Sequence, residues 1–294
     1  MSFAQKVLRF TFQLGQGAFG QSGTNTFTVS GLRASVHIAN SQGLAYSETT
    51  ARVFGMTLAQ MNELTSQANM PGLPAPQIRW NNMLIEAGDV GSTLTPVFAG
   101  FVQLASVETE GMPDVALEVY GNSGSWLGMQ AGLPVSLPGN PDVTVVLAEV
   151  LKATNPPVAL ESNLSAGITL ATPYLRGSVK DQVDAVRTAG NFEATMTPAE
   201  TLAVWPKGGM RNLPIVPISP STGMVGYPRN LANYGVHVKT LFNPALVLGV
   251  GVKLNSSLAF ANGVFAVYGV SHHLESEMPG GAWFTEFDCF PVSA

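Results

Sequence analysis

The chain has 294 residues, with 14 Lys and Arg against 19 Asp and Glu for a net charge of −5. Apolar residues make up 46% and charged residues only 11%, or 33 side chains where an ordinary soluble domain of this length carries roughly 70. That balance excludes a disordered chain, which needs high charge and few apolar residues, and a conventional basic nucleic-acid binder; so uncharged a surface implies cover by other subunits.

In chain order, the start MSFAQKVLRFTFQLGQG is interrupted by Arg9, Thr11 and Gln13, so neither a signal-peptide core nor a membrane span is expected there. Leu8, Phe10, Phe12 and Leu14 alternate with those polar residues, the period of a half-buried strand. Leu32, Ala34, Val36 and Ile38 repeat the pattern, and residues 51–56 read as a third strand. Residues 57–67 form a short helix with Leu58, Met61 and Leu64 spaced three apart, closed by Met70-Pro71-Gly72. Strands at 77–87 and 97–107 follow around a Gly-Asp-Val-Gly-Ser turn. Five strands and one short helix suggest a closed β-barrel over residues 1–110.

Residues 111–207 read as mixed α/β. A strand at 115–120 leads into a loose stretch, and a helix is expected over 143–153 after Asp142. Ser178 with Asp181 three residues on marks a helix start, Val179, Val183 and Val186 give its apolar stripe, and Gly190 is read as its stop. A hairpin of 192–196 and 202–205 completes a helix-plus-hairpin module at about 176–207. Residues 208–294 return to strands: Val236 and Val238, then Val250, Val252 and Leu254, an Asn262-Gly263 hairpin signal, Phe265 and Val267, and a last strand alternating at Trp283, Thr285, Phe287 and Cys289. The fold class is therefore mainly β with a smaller α+β part.

Charge is blocked along the chain. Residues 1–79 hold five basic and two acidic side chains, and 80–151 hold eight acidic and none basic. Residues 152–253 hold nine basic and five acidic, and 254–294 four acidic and none basic. Opposite blocks meeting between subunits would set their register; the plainer reading is scatter over a solvated surface.

The motifs that suggest chemistry each fail in context. Gly15-Gln-Gly17-Ala-Phe-Gly20 matches GxGxxG, but it leads into loop and strand rather than a helix, and the other kinase motifs are missing. His272-His273 before Glu275 and Glu277 would diverge to opposite faces of a strand, which makes them structural, and His37 and His237 are isolated. Gly121-Asn-Ser-Gly-Ser fits the nucleophile elbow only loosely, since it ends in Ser125 and no strand-to-helix context to expose the serine is expected. The lone Cys289 makes no internal disulfide and reads as a small buried hydrophobe; Trp80, Trp126, Trp205 and Trp283 read as core. No catalytic, cofactor-binding or metal residue is assigned.

One long run decides the reading. Pro217-Ile-Ser-Pro-Ser-Thr-Gly-Met-Val-Gly-Tyr-Pro228 is followed by Gly235-Val-His-Val-Lys-Thr-Leu-Phe-Asn-Pro244, then Asn262-Gly-Val-Phe-Ala-Val, His272-His273-Leu-Glu-Ser-Glu and Gly280-Gly-Ala-Trp-Phe-Thr. With Ser30-Gly31-Leu32-Arg33 and Phe54-Gly55-Met56, this order resembles the baseplate hub proteins of contractile-tailed bacteriophages, Mu-like and related myophages. The family-motif positions are Ser219, Thr222, Gly223, Gly226, Pro228, Asn243, Pro244, Gly263, His272 and Trp283, to which a structural role is given.

The resemblance implies two tail-tube-like antiparallel β-barrels plus small mixed domains. It implies a homotrimer whose six tube-like units match a sixfold tube above and a threefold spike below. The implied partners are the central spike protein, tail tube or tube-initiator proteins and the tape-measure protein, with DNA only in transit and no membrane insertion. The implied place is the virion baseplate, after assembly in the bacterial cytoplasm, with no enzymatic role. Acidic blocks 80–151 and 254–294 are candidate channel lining. The rivals are another tube-like or distal tail component, a tail-associated cell-wall or glycan hydrolase, and a monomeric carbohydrate-binding β-module.

Overall fold

A computed structural model describes residues 4–15, 19, 23–41, 47–66, 81–232 and 235–292. The elements begin with β1 (Lys6–Gln13), β2 (Thr26–Ser30), β3 (Ala34–Ser41), β4 (Ser47–Phe54), α1 (Leu58–Ser66), β5 (Asn82–Asp89), β6 (Thr95–Glu108) and β7 (Ala116–Asn122). They continue with α2 (Ser125–Met129), β8 (Val135–Ser136), α3 (Val143–Leu151), β9 (Ala159–Ser162), β10 (Tyr174–Leu175), α4 (Val179–Gly190), β11 (Phe192–Met196) and β12 (Thr201–Pro206). The last are β13 (Val216–Ile218), β14 (Arg229–Asn230), β15 (Val236–Leu241), β16 (Gly251–Leu254), β17 (Gly263–Ser276) and β18 (Trp283–Pro291). The protein is mainly β with a small helical part, as the sequence indicates.

The chain divides into two compact units. The first takes residues 1–39, 47–123 and 271–284; the second takes 40–46, 124–270 and 285–294. The long strands β17 and β18 therefore contribute to both.

In the first unit the strands run in the order β17, β3, β4, β7, β6, β5, β1, β2. The β1–β2, β1–β5, β5–β6, β6–β7 and β4–β7 pairs are antiparallel. Period-two alternation puts Leu8, Phe10, Phe12, Val36, Ile38, Val53, Ile85, Phe98 and Leu117 inside. Closure of the expected barrel is not detected: among the described residues the strand order is an open path that ends at β2 and continues beyond β17 into β18. Helix α1 starts with a reciprocal cap, Gln60 N–H donating to Thr57 Oγ1 and Thr57 N–H to Gln60 Oε1, and buries Met61 and Leu64. Leu58, expected on that stripe, is exposed. The Met70-Pro71-Gly72 closure, residues 77–80 of the strand expected at 77–87, Trp80 and most of the Gly15–Gly20 loop lie outside the described residues.

The second unit combines a mixed α/β part and a strand part. Asp142 caps α3, its carboxylate accepting from Thr144 N–H at 2.9 Å and Gly167 N–H at 3.3 Å. Helix α4 carries the capping box of Ser178 and Asp181, and Val179, Val183 and Val186 are fully buried. Its stop differs from expectation: Gly190 is the last helical residue, and Asn191 takes the left-handed turn at φ 50°. Asn tolerates that conformation because its short polar side chain bonds locally.

The expected hairpin forms as β11–β12, and β9 adds to β12 in parallel, a strand the sequence does not announce. The stretch read as loose contains α2 and β8, the latter paired with β10. The strand part is ordered β14, β15, β18, β17, with β16 on β17 and β13 parallel to β16. Its core holds Val236, Val238, Val252, Leu254, Phe265, Val267, Phe287 and Cys289. Trp205 and Leu248 form a second small cluster with Ala203. Beside it, Arg211 is 8% exposed and grips Glu161 with hydrogen bonds of 2.9 and 2.7 Å.

Asn262-Gly263 is not a two-residue hairpin turn. It ends the loop of residues 255–262, where Asn262 Nδ2 donates to the Ser256 and Leu258 carbonyls and Oδ1 accepts from Ser256 N–H. The side chain organises the loop from within, and Gly263 at φ 132° opens β17.

Candidate functional site

The run of residues 216–230 is a strap across the strand part of the second unit. It begins as β13, paired with β16 at Val216↔Val252 and Ile218↔Leu254. It ends along β15, through the Met224↔Thr240 bridge, Val225 N–H donating to Lys239 O at 2.8 Å, and Arg229↔His237 in β14. One short segment thus covers strands at both sides of the sheet, which removes exposed ladder groups.

The motif residues make the strap's turn. Ser219 precedes a single 3-10 turn of Pro220–Thr222; its N–H donates to Thr222 Oγ1 at 2.8 Å, and that hydroxyl donates to Pro217 O at 3.0 Å. Gly223 then adopts φ 107°, and its carbonyl accepts from Leu241 N–H at 2.8 Å. A Cβ there would meet Leu241 at 3.5 Å, so the backbone conformation rather than space calls for glycine. Gly226 is also left-handed, and Pro228 is buried.

Asn243 Oδ1 accepts from Ala245 N–H at 3.0 Å, and its own N–H donates to the buried Thr285 hydroxyl at 3.1 Å, with Pro244 half-buried beside it. Of the ten motif residues, Ser219, Thr222 and Gly223 come together directly. Gly263 opens a different strand, and His272 and half-buried Trp283 belong to the first unit.

Outward from the strap stand side chains that the motif reading missed. Val225, Tyr227 and Leu241 are 36%, 72% and 40% exposed, and Arg229 is exposed beyond them. Tyr227 and Arg229, two residues apart after the left-handed Gly226, are both exposed. Beside them His237 Nδ1 lies 2.7 Å from Asp288 Oδ1, and Lys239 Nζ 2.9 Å from Glu286 Oε1. His237, isolated in sequence, is thus a partner of β18.

The charge blocks meet inside the chain. Lys6–Asp89 and Arg9–Glu86 are directly opposite across β1 and β5, and Arg52–Glu118 across β4 and β7; Arg33 reaches Asp114 at 2.9 Å. Bases of residues 1–79 therefore neutralise acids of 80–151 within one unit. Four of the eight acids of 80–151 are paired with bases of 1–79 in this way.

The groups that suggest chemistry have structural settings. His272 is buried, and burial with His273 alongside pushes its pKa down to about 4; His273 faces the other way and stacks on His37 with centroids 4.4 Å apart. Burial pushes the Cys289 thiol up to about 12, and it sits 3.4 Å from Val236 O. Trp126 and Trp205 are core.

The Gly121–Ser125 stretch does pass from strand to helix, contrary to expectation, because α2 follows β7. Ser123 is nevertheless tied up, its Oγ accepting from Ser47 N–H at 3.0 Å, and its φ is not positive. Among the described residues no group of three or more His, Cys, Asp or Glu side chains is placed to hold a metal ion, and no helix is long and apolar enough to cross a membrane.

The overall fold recurs in solved tail proteins. The 43 kDa tail protein of prophage MuSo2 from Shewanella oneidensis aligns over 99% of this chain and 100% of its own, at 9% identity and a TM-score of 0.59. The tail protein of Neisseria meningitidis MC58 aligns over 96% of each chain, at 10% identity and the same TM-score. The E. coli c3393 protein, described as a type VI secretion component structurally similar to T4 tail proteins gp27 and gp5, aligns over 89% of this chain and 74% of its own, at 9% identity and a TM-score of 0.56. At such identities the likeness shows the fold, which is that of a phage-type tail protein.

No curated protein matches the sequence significantly. Over residues 7–279 it matches the family described as Baseplate hub gp41, and the chain belongs to that family. It is thereby a structural component of the phage tail baseplate, as the resemblance in sequence indicated.

Proposed function

We propose that this chain is a homotrimeric hub ring with pseudo-sixfold symmetry, which joins the tail tube to a trimeric central spike and forms part of the channel for tape-measure protein and DNA. Membership in the hub family across nearly the whole chain is the observation that carries this reading. The presence of two units in one chain supports it, because three copies supply six units while keeping threefold symmetry for a spike. Closed cyclic symmetry lets such a ring end without polymerising.

The division into a first tube-like domain at 1–110, mixed domains at 111–207 and a second tube-like domain at 208–294 belongs to this reading, as does a purely structural role for the ten motif residues. The low charge content fits a subunit whose permanent neighbours bury much of its surface. On this reading the chain assembles in the host cytoplasm, inserts in no membrane and turns over no substrate.

Imaging intact tails that carry a tag on this subunit tests the proposal. Density for the tag between tube and spike is expected, whereas a tag along the tube or at the tail's periphery contradicts it.

A further inference from the structure

One end of the first unit carries an open groove of about 540 Å³. Leu32, Phe54 and Met56 give it an apolar floor, and Arg33, Asp114 and Glu277 line it with charge. Arg33 is already committed: its guanidinium lies 4.0 Å from the Phe54 ring centroid and 2.9 Å from Asp114. Glu277 is exposed and held at φ 55°, a conformation that a non-glycine residue adopts only against a steric penalty. It also borders a second hollow of about 450 Å³ with Glu275, which accepts from Ala282 N–H. The groove therefore offers an apolar bed with an acidic rim.

The charge of the whole chain has the same asymmetry. The first unit holds five Lys and Arg against ten Asp and Glu, and the second nine against nine, so the entire net charge of −5 belongs to the first. Two first units face to face would repel each other. A first unit facing a second unit of another copy would not.

The second unit presents a matching segment on its strap. Tyr227 is 72% exposed, and Arg229 has no ion-pair partner among the described residues. Two residues of extended backbone place their side chains on one face about 7 Å apart.

We infer that the groove of the first unit receives Tyr227 and Arg229 from a neighbouring copy of this chain, with Tyr227 on the Leu32, Phe54 and Met56 floor and Arg229 against the carboxylate of Glu277. The contact is heterologous, so repetition around a threefold axis closes a ring. This inference rests on the trimer proposed above and names the surfaces that form it.

The test uses purified tails carrying full-length hub variants and a short bismaleimide cross-linker, with native Cys289 buried. Glu277→Cys with Arg229→Cys is expected to give covalent dimers and trimers, and either single variant none. The control pair Glu277→Cys with Arg176→Cys samples the other exposed Tyr-x-Arg segment, Tyr174 to Arg176. Cross-linking through 176 instead of 229, or no cross-linking in tails that hold three hub copies, overturns the inference and leaves the trimer standing. A copy number other than three overturns the trimer reading itself. As a second readout, Glu277→Arg should weaken hub self-association about tenfold or more, and Arg229→Glu in the same chain should restore it; an unrestored double variant counts against the contact.

Discussion

Arg9 and Glu86 face each other across β1 and β5, joined by two parallel guanidinium–carboxylate hydrogen bonds of 2.6 Å. The bidentate geometry holds the Arg9 proton more tightly than usual, through the hydrogen bond to Glu86. The pair also fixes the register of two strands that are 77 residues apart in the chain. Reversing one charge, as in Arg9→Glu, should lower the thermal midpoint by setting two carboxylates opposite each other. The exchanged pair Arg9→Glu with Glu86→Arg should recover most of the loss in a melting experiment at low salt. Failure to recover would show that the two side chains act independently.

Helix α4 depends on its first turn. Ser178 Oγ accepts from Asp181 N–H at 3.2 Å, and the Asp181 carboxylate accepts from the Ser178 hydroxyl at 2.7 Å and from Ser178 N–H at 3.0 Å, which draws the Asp181 pKa below its ordinary value. Ser178→Ala should lower the unfolding free energy by about 1 kcal/mol, measured by urea denaturation. An unchanged midpoint would mean that packing of Val179, Val183 and Val186 alone sets the helix start.

Gly223 turns the strap at φ 107°. Gly223→Ala should destabilise by about 1–2 kcal/mol, because an L side chain strains that backbone even without a clash. Gly223→Asn should be milder, since Asn visits the left-handed region more readily. Equal losses in the two variants, read by the same denaturation, would point to lost space near Leu241 instead.

His272 gives a pH signature. Its imidazole takes up a proton near 6.5 in the unfolded chain but only at about 4 when buried. The unfolded state therefore binds more protons between those values, and stability falls as pH drops from about 6.5 to about 4. That separation corresponds to about 3 kcal/mol. Asp142, held below its ordinary value by hydrogen bonds from Thr144, acts in a lower window, where protonation of its carboxylate removes the α3 cap. His272→Leu should flatten the upper slope in denaturation series at stepped pH. A slope unchanged by that substitution would assign it to other groups.

Elements that bury one face announced themselves in the sequence. The alternation of β1, β3 and β18 follows from a two-residue period against a core, and Ser178 with Asp181 marked α4 because a cap is a local device. Features made by distant partners left no such trace. β9 is a strand because β12 lies beside it, and β8 because β10 does. Asn262-Gly263 carries a hairpin signal, yet Asn262 uses its side chain to tie residues 255–262 into a loop. The charge blocks looked like surface patterning until the register of β1 on β5 and β4 on β7 placed base against acid.

The candidate site was legible as a motif but not as a surface. Ser219, Thr222 and Gly223 were readable as an ordered run, and their work in turning the strap depends on β15 and β16 standing on either side of it. Glu277 and Phe54 are far apart in the chain, and only folding brings them to one groove.

Counting hub copies in intact tails tests the central claim most directly. Native mass measurement of an isolated baseplate core, or a symmetry-free reconstruction, should find three copies, each supplying two units to one ring between tube and spike. One copy or six copies per tail, or a hub that lies off the tail axis, would contradict it.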